Sequence, residues 1–241
     1  GLSHFDAWAS CFGETKLSLE LAPEGKGYQM KTRFAKFFNL PELMNMFKEI
    51  ADIKTADVLK LPVPEAVYHT VTAEPSEYQK DMVDGLAQRA KAIRDKRVSA
   101  DVDNMLNVTN DGRKLALDQR LLNELLPDNS HSKVNLCVDK VFEIWQNTAA
   151  QKSTQMIFCD LSTPDKSKFN VYDDIKSKLI KKGIPEDEIA FIHSYNTDEQ
   201  KQQLFSKVRK GNIRVLLGST EKMGTGTNVQ NKLIAAHHLD C

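Results

Sequence analysis

Apolar positions along the chain fall into two regimes, and the second is the more regular. From about Ser132 onward, stretches of helical spacing alternate with short apolar runs. Val134, Val138, Val141, Phe142 and Trp145 recur on one helix face, and Met156 to Cys159 follows as a short buried strand. A helix is expected from Val171 to Lys182, stopped by Gly183, and Ile189 to Ile192 supplies a second strand. Thr197 and Gln200 form a capping box, in which hydroxyl and amide each satisfy a backbone N–H that the first helical turn leaves unpaired. The helix they open should reach Lys210, before Gly211. Ile213 to Leu217 reads as the third strand and Leu233 to Leu239 as the fourth. Strands joined by helices of this length require crossover connections, so the pattern predicts an α/β fold: a mostly parallel sheet with helices on both faces. In such sheets ligands bind beyond the carboxyl ends of the strands, and the loop from Gly218 to Asn228 leaves the third strand at that edge.

The first 130 or so residues follow a different pattern. Leu17 to Leu21 reads as a strand, with Pro23, Gly25 and Gly27 forming a turn. Pro41 to Ala51 reads as a helix carrying Leu43, Phe47 and Ile50 on one face, and Val67 to Val71 alternates like a strand. Ser76 and Gln79 form a second capping box, opening a long helix whose Met82, Leu86, Ala90 and Ile93 make a core-facing stripe. Asp101 to Asn107 reads as a polar linker, and Arg113 to Leu126 as a further helix ended by Pro127. The expected organisation is an extension over residues 1–75, a helical insertion or connector over 76–130, and a parallel-sheet lobe over 131–241.

Composition narrows the class without naming the chemistry. Apolar residues at 41% and charged residues at 27% belong to a folded globular chain. No run of about 18 apolar residues occurs, so no membrane partner is expected. Cys11, Cys137, Cys159 and Cys241 make no CxxC pair, which points to buried free thiols in a reducing cytoplasm. The 33 basic residues balance the 33 acidic ones, so the net charge does not mark a nucleic-acid binder. Local basic clusters do occur, at Lys31, Arg33 and Lys36 and again from Arg89 to Arg97, and both read as solvated helix faces.

Val215 to Val229, with Ser219, Thr220 and the Gly224-x-Gly226-x-Asn228 loop, resembles the fifth signature motif of superfamily-two helicases and Swi/Snf-type DNA translocases. Other parts of the likeness stand in the same order as in that family. Ile53 to Val58 with Leu61-Pro62 is similar to the segment leading into the second motor lobe. Ser132-Lys133 and Gln155 to Asp160 are similar to the fourth motif and the helix before it. Ile192-His193, Thr197, Lys201 and Gly211 fall at further family positions, with Ser194 and Lys201 departing from the usual glycine and arginine. His4 to Ala9 and His237 to Cys241 look like landmarks of the helicase region in helicase and adenine-methyltransferase fusion proteins of bacterial mobile elements. The likeness runs from Ser3 to Cys241. It implies a RecA-like fold with a mainly helical extension in front of it, and a bacterial cytoplasmic setting.

The resemblance also implies which residues act. Ser162, Thr163, Ser219, Thr220 and Lys222 would contact a DNA backbone without reading sequence, and Gly224, Gly226 and Asn228 would face the nucleotide. ATP and Mg²⁺ serve the full-length motor, and the first RecA-like lobe of the parent chain is the expected partner besides DNA. No G-x-x-x-x-G-K-[ST] loop and no acidic box after a strand occur in this sequence. The arginine-bearing sixth motif would lie beyond Cys241, so the chain reads as an excised or truncated copy, inactive alone and without a catalytic residue or metal site of its own.

Four further expectations come from residue types. Asp160 would orient a neighbour or cap a helix rather than meet phosphate. His237 and His238 would point to opposite faces of a strand and so could not chelate one ion. Cys159 and His193 would lack a third, orienting residue. Trp8 and Trp145 would pack in cores. A non-catalytic interaction module that kept the fold is the alternative, supported by the neutral balance. A Rossmann-type methyltransferase is disfavoured, since no G-x-G follows the first strand of the sheet.

Overall fold

The computed structural model describes residues 4–21, 28–60, 64–165, 167–224 and 226–240. The expected turn residues Pro23, Gly25 and Gly27, the Leu61-Pro62 pair and Cys241 lie outside them. The chain divides into two compact units, Gly1–Thr70 and Val71–Cys241.

The first unit holds helix α1 (Phe5–Phe12), an antiparallel hairpin of β1 (Gly13–Leu21) and β2 (Tyr28–Phe37), and helices α2 (Leu40–Lys48) and α3 (Ala56–Leu59). Register explains its composition. Thr15, Leu17 and Leu19 stand opposite Phe34, Thr32 and Met30, whereas Lys16, Ser18 and Glu20 stand opposite Arg33, Lys31 and Gln29, so one face is apolar and the other charged. Across the charged face Arg33 grips both Glu20 oxygens at 2.8 Å, and that hydrogen bond draws the carboxyl down to about 2. The basic cluster Lys31, Arg33 and Lys36 is therefore solvated on a strand, not on a helix as its spacing suggested. Trp8 packs among Phe5, Phe12 and Phe37, and Cys11 is exposed rather than buried.

At the junction of the two units, Val67–Val71 forms no strand where alternation had suggested one, because alternation with no strand beside it among the described residues gives the backbone no ladder to join. Helix α4 (Glu77–Arg94) starts as expected: the Ser76 hydroxyl accepts from the Gln79 N–H and the Gln79 side chain accepts from the Ser76 N–H. Helix α5 runs over Met105–Leu117, correcting both the linker at Asp101–Asn107 and the helix at Arg113–Leu126. Asn104 caps it by accepting from the Asn107 N–H at 3.1 Å. It ends at Asp118, whose extended backbone places a buried carboxylate against the Arg120 N–H and guanidinium. Arg89 of α4 bridges Asp103 and Asp111, and these two bonds raise its pKa despite partial burial.

The sheet lobe then runs α6 (Lys133–Asn147), β3 (Thr154–Phe158), α7 (Val171–Lys182), β4 (Ile189–Phe191), α8 (Asp198–Lys210), β5 (Val215–Gly218), the single turn α9 (Thr220–Met223) and β6 (Leu233–His238). The four strands are all parallel, in the order β4-β5-β3-β6. Successive residues face opposite sides, and both sides are apolar. Ile157, Val215 and Leu217 pack beneath α6 and α7 with Val134, Val138, Val141, Ile175 and Leu179. Met156, Ala190 and Leu216 pack beneath α8 with Leu204, Phe205 and Val208. The α/β class with a helix-flanked parallel sheet, read from the sequence, is the one the structure has. Each buried Val, Leu, Ile, Met or Phe side chain among them contributes about 2 kcal/mol.

A buried ion network ties the helical segment to the lobe. Arg120 lies 2.7 Å from Asp118 and 2.9 Å from Asp174, while Lys178 lies 2.7 Å from Asp174 and 2.8 Å from Asp128. Burial by itself would lower the Arg120 pKa; the hydrogen bonds it donates to the carboxylates outweigh that and raise it. Removing Arg120 would leave the buried Asp118 carboxylate unpaired, the expensive case, whereas the partners of Lys178 would keep Arg120.

His237 faces inward from β6, its Nε2 3.0 Å from the Gln155 Oε1, while the Gln155 amide donates to the Val141 carbonyl at 2.9 Å. Burial first, then the charges of His238 and Lys140, lower its pKa from 6.5 to about 4. The unfolded chain therefore binds a proton below pH 6.5 that the folded chain refuses until about pH 4. Stability from this site is complete above that window and is lost through it as pH falls, by a total on the order of 3 kcal/mol. Urea unfolding of wild type and His237→Gln at pH 7.5 and pH 5 tests this. The variant should lose less stability between the two pH values, and equal losses would assign the acid sensitivity to another group.

Candidate functional site

The carboxyl ends of β3, β4 and β5 deliver three loops to one edge of the sheet. After β5, Gly218 passes so close to its neighbours that a Cβ would lie 2.6 Å from Met223 Cγ and Sδ and 2.7 Å from Ile192 Cγ2. A side chain there would have to displace Met223 or Ile192. Ser219 then caps α9 by accepting from the Lys222 N–H at 3.3 Å. After β3, the Asp160 carboxylate accepts from the Thr220 N–H at 2.6 Å, fastening this loop to the next and performing the orienting role expected of it. Below, the Tyr172 hydroxyl donates to the Cys159 carbonyl at 2.7 Å, and its ring packs edge-on against His193.

Between these loops lies an open cleft of ≈ 480 Å³ lined by Asp160, Thr163, His193, Ser219, Glu221 and Lys222. Its charge is mixed, with one ammonium facing two carboxylates. Burial, and secondarily the Lys222 charge, lower the His193 pKa, which keeps the ring neutral near pH 7. Thr163 and Ser219 bring hydroxyls and Lys222 a cation, a set suited to an anionic oxygen rather than to bond making. Cys159 supplies no nucleophile, because burial, followed by the charge of Asp240, pushes its thiol pKa up. Cys137 is likewise raised by burial to about 12.

The structure brings Thr163, Ser219 and Lys222 together and sets the other expected residues apart from them. Ser162 is buried and its hydroxyl accepts from the Val171 N–H at 2.9 Å, at the start of α7 rather than in the cleft. Thr220 adjoins the cleft with its N–H engaged by Asp160. Gly224 ends α9, its N–H bonded to the Thr220 carbonyl at 2.7 Å. Gly226 adopts φ +73° with open space where a side chain would stand, and Asn228 is exposed, its carbonyl accepting from Arg209 at 2.6 Å. His193 and Glu221 were not among the residues selected from the sequence as contacts. Asp240 stood out in the sequence as part of the His237 to Cys241 landmark and not as a contact. Its bonds to residues about 80 positions away have no local sequence signature.

His237 and His238 do point to opposite sides: the first meets Gln155, and the second stacks on Phe158 at 4.7 Å. Trp145 donates to Glu188 at 2.6 Å beneath the Arg214 guanidinium. Among the described residues, Asp118, Asp128 and Asp174 are the one acidic trio close enough to share an ion, and each already pairs with Arg120 or Lys178. None of the three lines the cleft.

Gly218→Ala should lower stability by about 1–3 kcal/mol, since the fully buried Ile192 leaves the new methyl little room to settle. Chemical denaturation measures this, and an unchanged midpoint would show that the loop has room to give. No protein-family model matches the chain, and no curated protein does either.

Proposed function

We propose that this chain is the second RecA-like lobe of a Swi/Snf-like superfamily-two DNA helicase or translocase, holding a DNA backbone in the cleft at the carboxyl edge of its sheet. The supporting observation is the meeting of Thr163, Ser219 and Lys222 there, three of the five residues that the resemblance assigns to DNA. Hydroxyls and an ammonium hold phosphate oxygens without reading base edges, which is what a motor moving over any sequence requires. In this reading the partner is DNA together with the first lobe of the parent chain, in a bacterial cytoplasm.

ATP would be taken on the neighbouring loop. Gly226, at positive φ and with nothing above it, admits a close ligand, and the exposed Asn228 side chain offers a donor and an acceptor. Gly224 lies between α9 and those residues and would set their approach. ATP hydrolysis supplies the free energy of movement in the parent motor. The residues of this chain bind and orient but do not hydrolyse, because the sequence holds no lysine-bearing phosphate loop. The acidic trio does not suit the motor's Mg²⁺, since none of it lines the cleft and each carboxylate is already paired with Arg120 or Lys178.

The interaction-module reading rests on a different observation: Asp160 and Glu221 oppose Lys222 in the cleft, and the chain as a whole is neutral. Fluorescence anisotropy with a labelled duplex separates the two. The motor-lobe reading expects binding at low ionic strength that weakens with salt, and Lys222→Ala should reduce the salt slope by about one unit. No binding at low salt, or an unchanged slope in the variant, sinks it.

A further inference from the structure

Two carboxylates join the ends of three strands in series. Beyond β6, the Asp240 Oδ2 accepts from the Asp160 N–H at 2.7 Å and from the Leu161 N–H at 2.6 Å. The Asp160 Oδ1 in turn accepts from the Thr220 N–H at 2.6 Å. These contacts span 80, 79 and 60 residues of sequence, so they are tertiary choices rather than local turns. They also reach past the backbone ladder, whose last bonds here are Leu239 N–H to the Phe158 carbonyl at 3.2 Å and Cys159 N–H to the Gly218 carbonyl at 3.0 Å. On the far side, Arg113 of α5 donates to the Asp240 carbonyl at 3.2 Å.

We infer that Asp240 and Asp160 are positioning residues acting as one relay: Asp240 fixes the backbone of Asp160, and Asp160 fixes the turn from Ser219 to Lys222 that lines the cleft. A negatively charged side chain facing a cleft meant for phosphate is a liability unless its charge is committed elsewhere. Here one oxygen of Asp160 is committed to an amide of the neighbouring loop, and the amides of Asp160 and Leu161 are committed to Asp240. Bonds between a carboxylate and an N–H are roughly twice as strong as neutral ones, which suits loops that must hold one spacing. The ends of β6, β3 and β5 therefore move together, and a displacement of the segment after β6 is passed to Lys222. The relay follows from hydrogen bonds alone, and its bearing on DNA grip rests on the motor-lobe reading.

The test is the Thr220 amide, followed by NMR and hydrogen exchange in the whole chain without ligand. Asp160→Asn should shift this amide and speed its exchange by about tenfold or more, the loss expected when a charged acceptor is removed. Asp240→Asn should do the same directly to Asp160 and Leu161 and, through them, to Thr220. In the Asp160→Asn background, Asp240→Asn should leave Thr220 unchanged, because the connection is already cut. An Asp240→Asn effect of equal size in both backgrounds, or no effect on Thr220 in either, overturns the relay. Should Asp240→Asn fail to fold, Asp240→Glu keeps the charge, displaces the oxygens, and is held to the same two criteria. Duplex titration of the same proteins separates the two claims. A coupled Thr220 amide in a protein that binds no DNA leaves the relay standing and removes the motor-lobe reading; DNA binding with an uncoupled amide does the reverse.

Discussion

The constraint on which the second unit depends is that a parallel sheet must be covered on both faces. Its strands cannot be joined by short turns, so each return passes through a helix, and the helices need an apolar face on each side to sit on. Met156 and Ile157 are adjacent in β3 and buried in opposite cores, as are Leu216 and Leu217 in β5. Once both cores are filled, every crossover leaves from the same edge, and the loops carrying Asp160, His193 and Ser219 meet there without any further instruction. The cleft is thus a by-product of topology, and its chemistry depends on which residues the loops present.

Charge is handled in two ways in the same unit. The Arg120, Asp118, Asp174, Lys178 and Asp128 network is largely buried and every carboxylate in it is paired with a cation, so it fixes where the helical segment meets the sheet. A hydrophobic replacement of the same volume could be equally stable; half of the network could not. The cleft charges, by contrast, are open to water and can be shared with a partner. Arg113, on α5, donates to the carbonyl of Asp240.

Local signals were legible in the sequence and distant ones were not. Both capping boxes and the full extent of α7 and α8 followed from spacing, because a hydroxyl three residues before an amide, or a glycine after the last apolar position, acts within one turn of chain. The start of α5 was hidden because Asp101 to Asn107 reads as polar linker until Asn104 is recognised as a cap. Its end was misplaced because the helix stops to bury Asp118 against Arg120. Val67 to Val71 has the alternation of a strand and, among the described residues, no strand beside it. At the site, Ser162 and Thr163 look interchangeable in sequence, yet one hydroxyl turns inward to α7 while the other residue lines the cleft. One step along the loop beyond β3 separates the two roles.

The neutral balance of the chain bears on how such a cleft could work. With 33 charges of each sign there is no broad field to draw a polyanion in, and beyond about 8 Å salt screens what exposed charges remain. In the cleft itself Lys222 is opposed by Asp160 and Glu221, and His193 is held neutral. Attraction summed over the surface is therefore weak, and any grip on phosphate depends on contacts of hydrogen-bond length, which fall away within an ångström of misplacement. A site of this kind relies on the accuracy of its backbone. That is why the carboxylate bonds at the strand ends, which add no affinity of their own, would govern how well Ser219 and Lys222 hold anything at all.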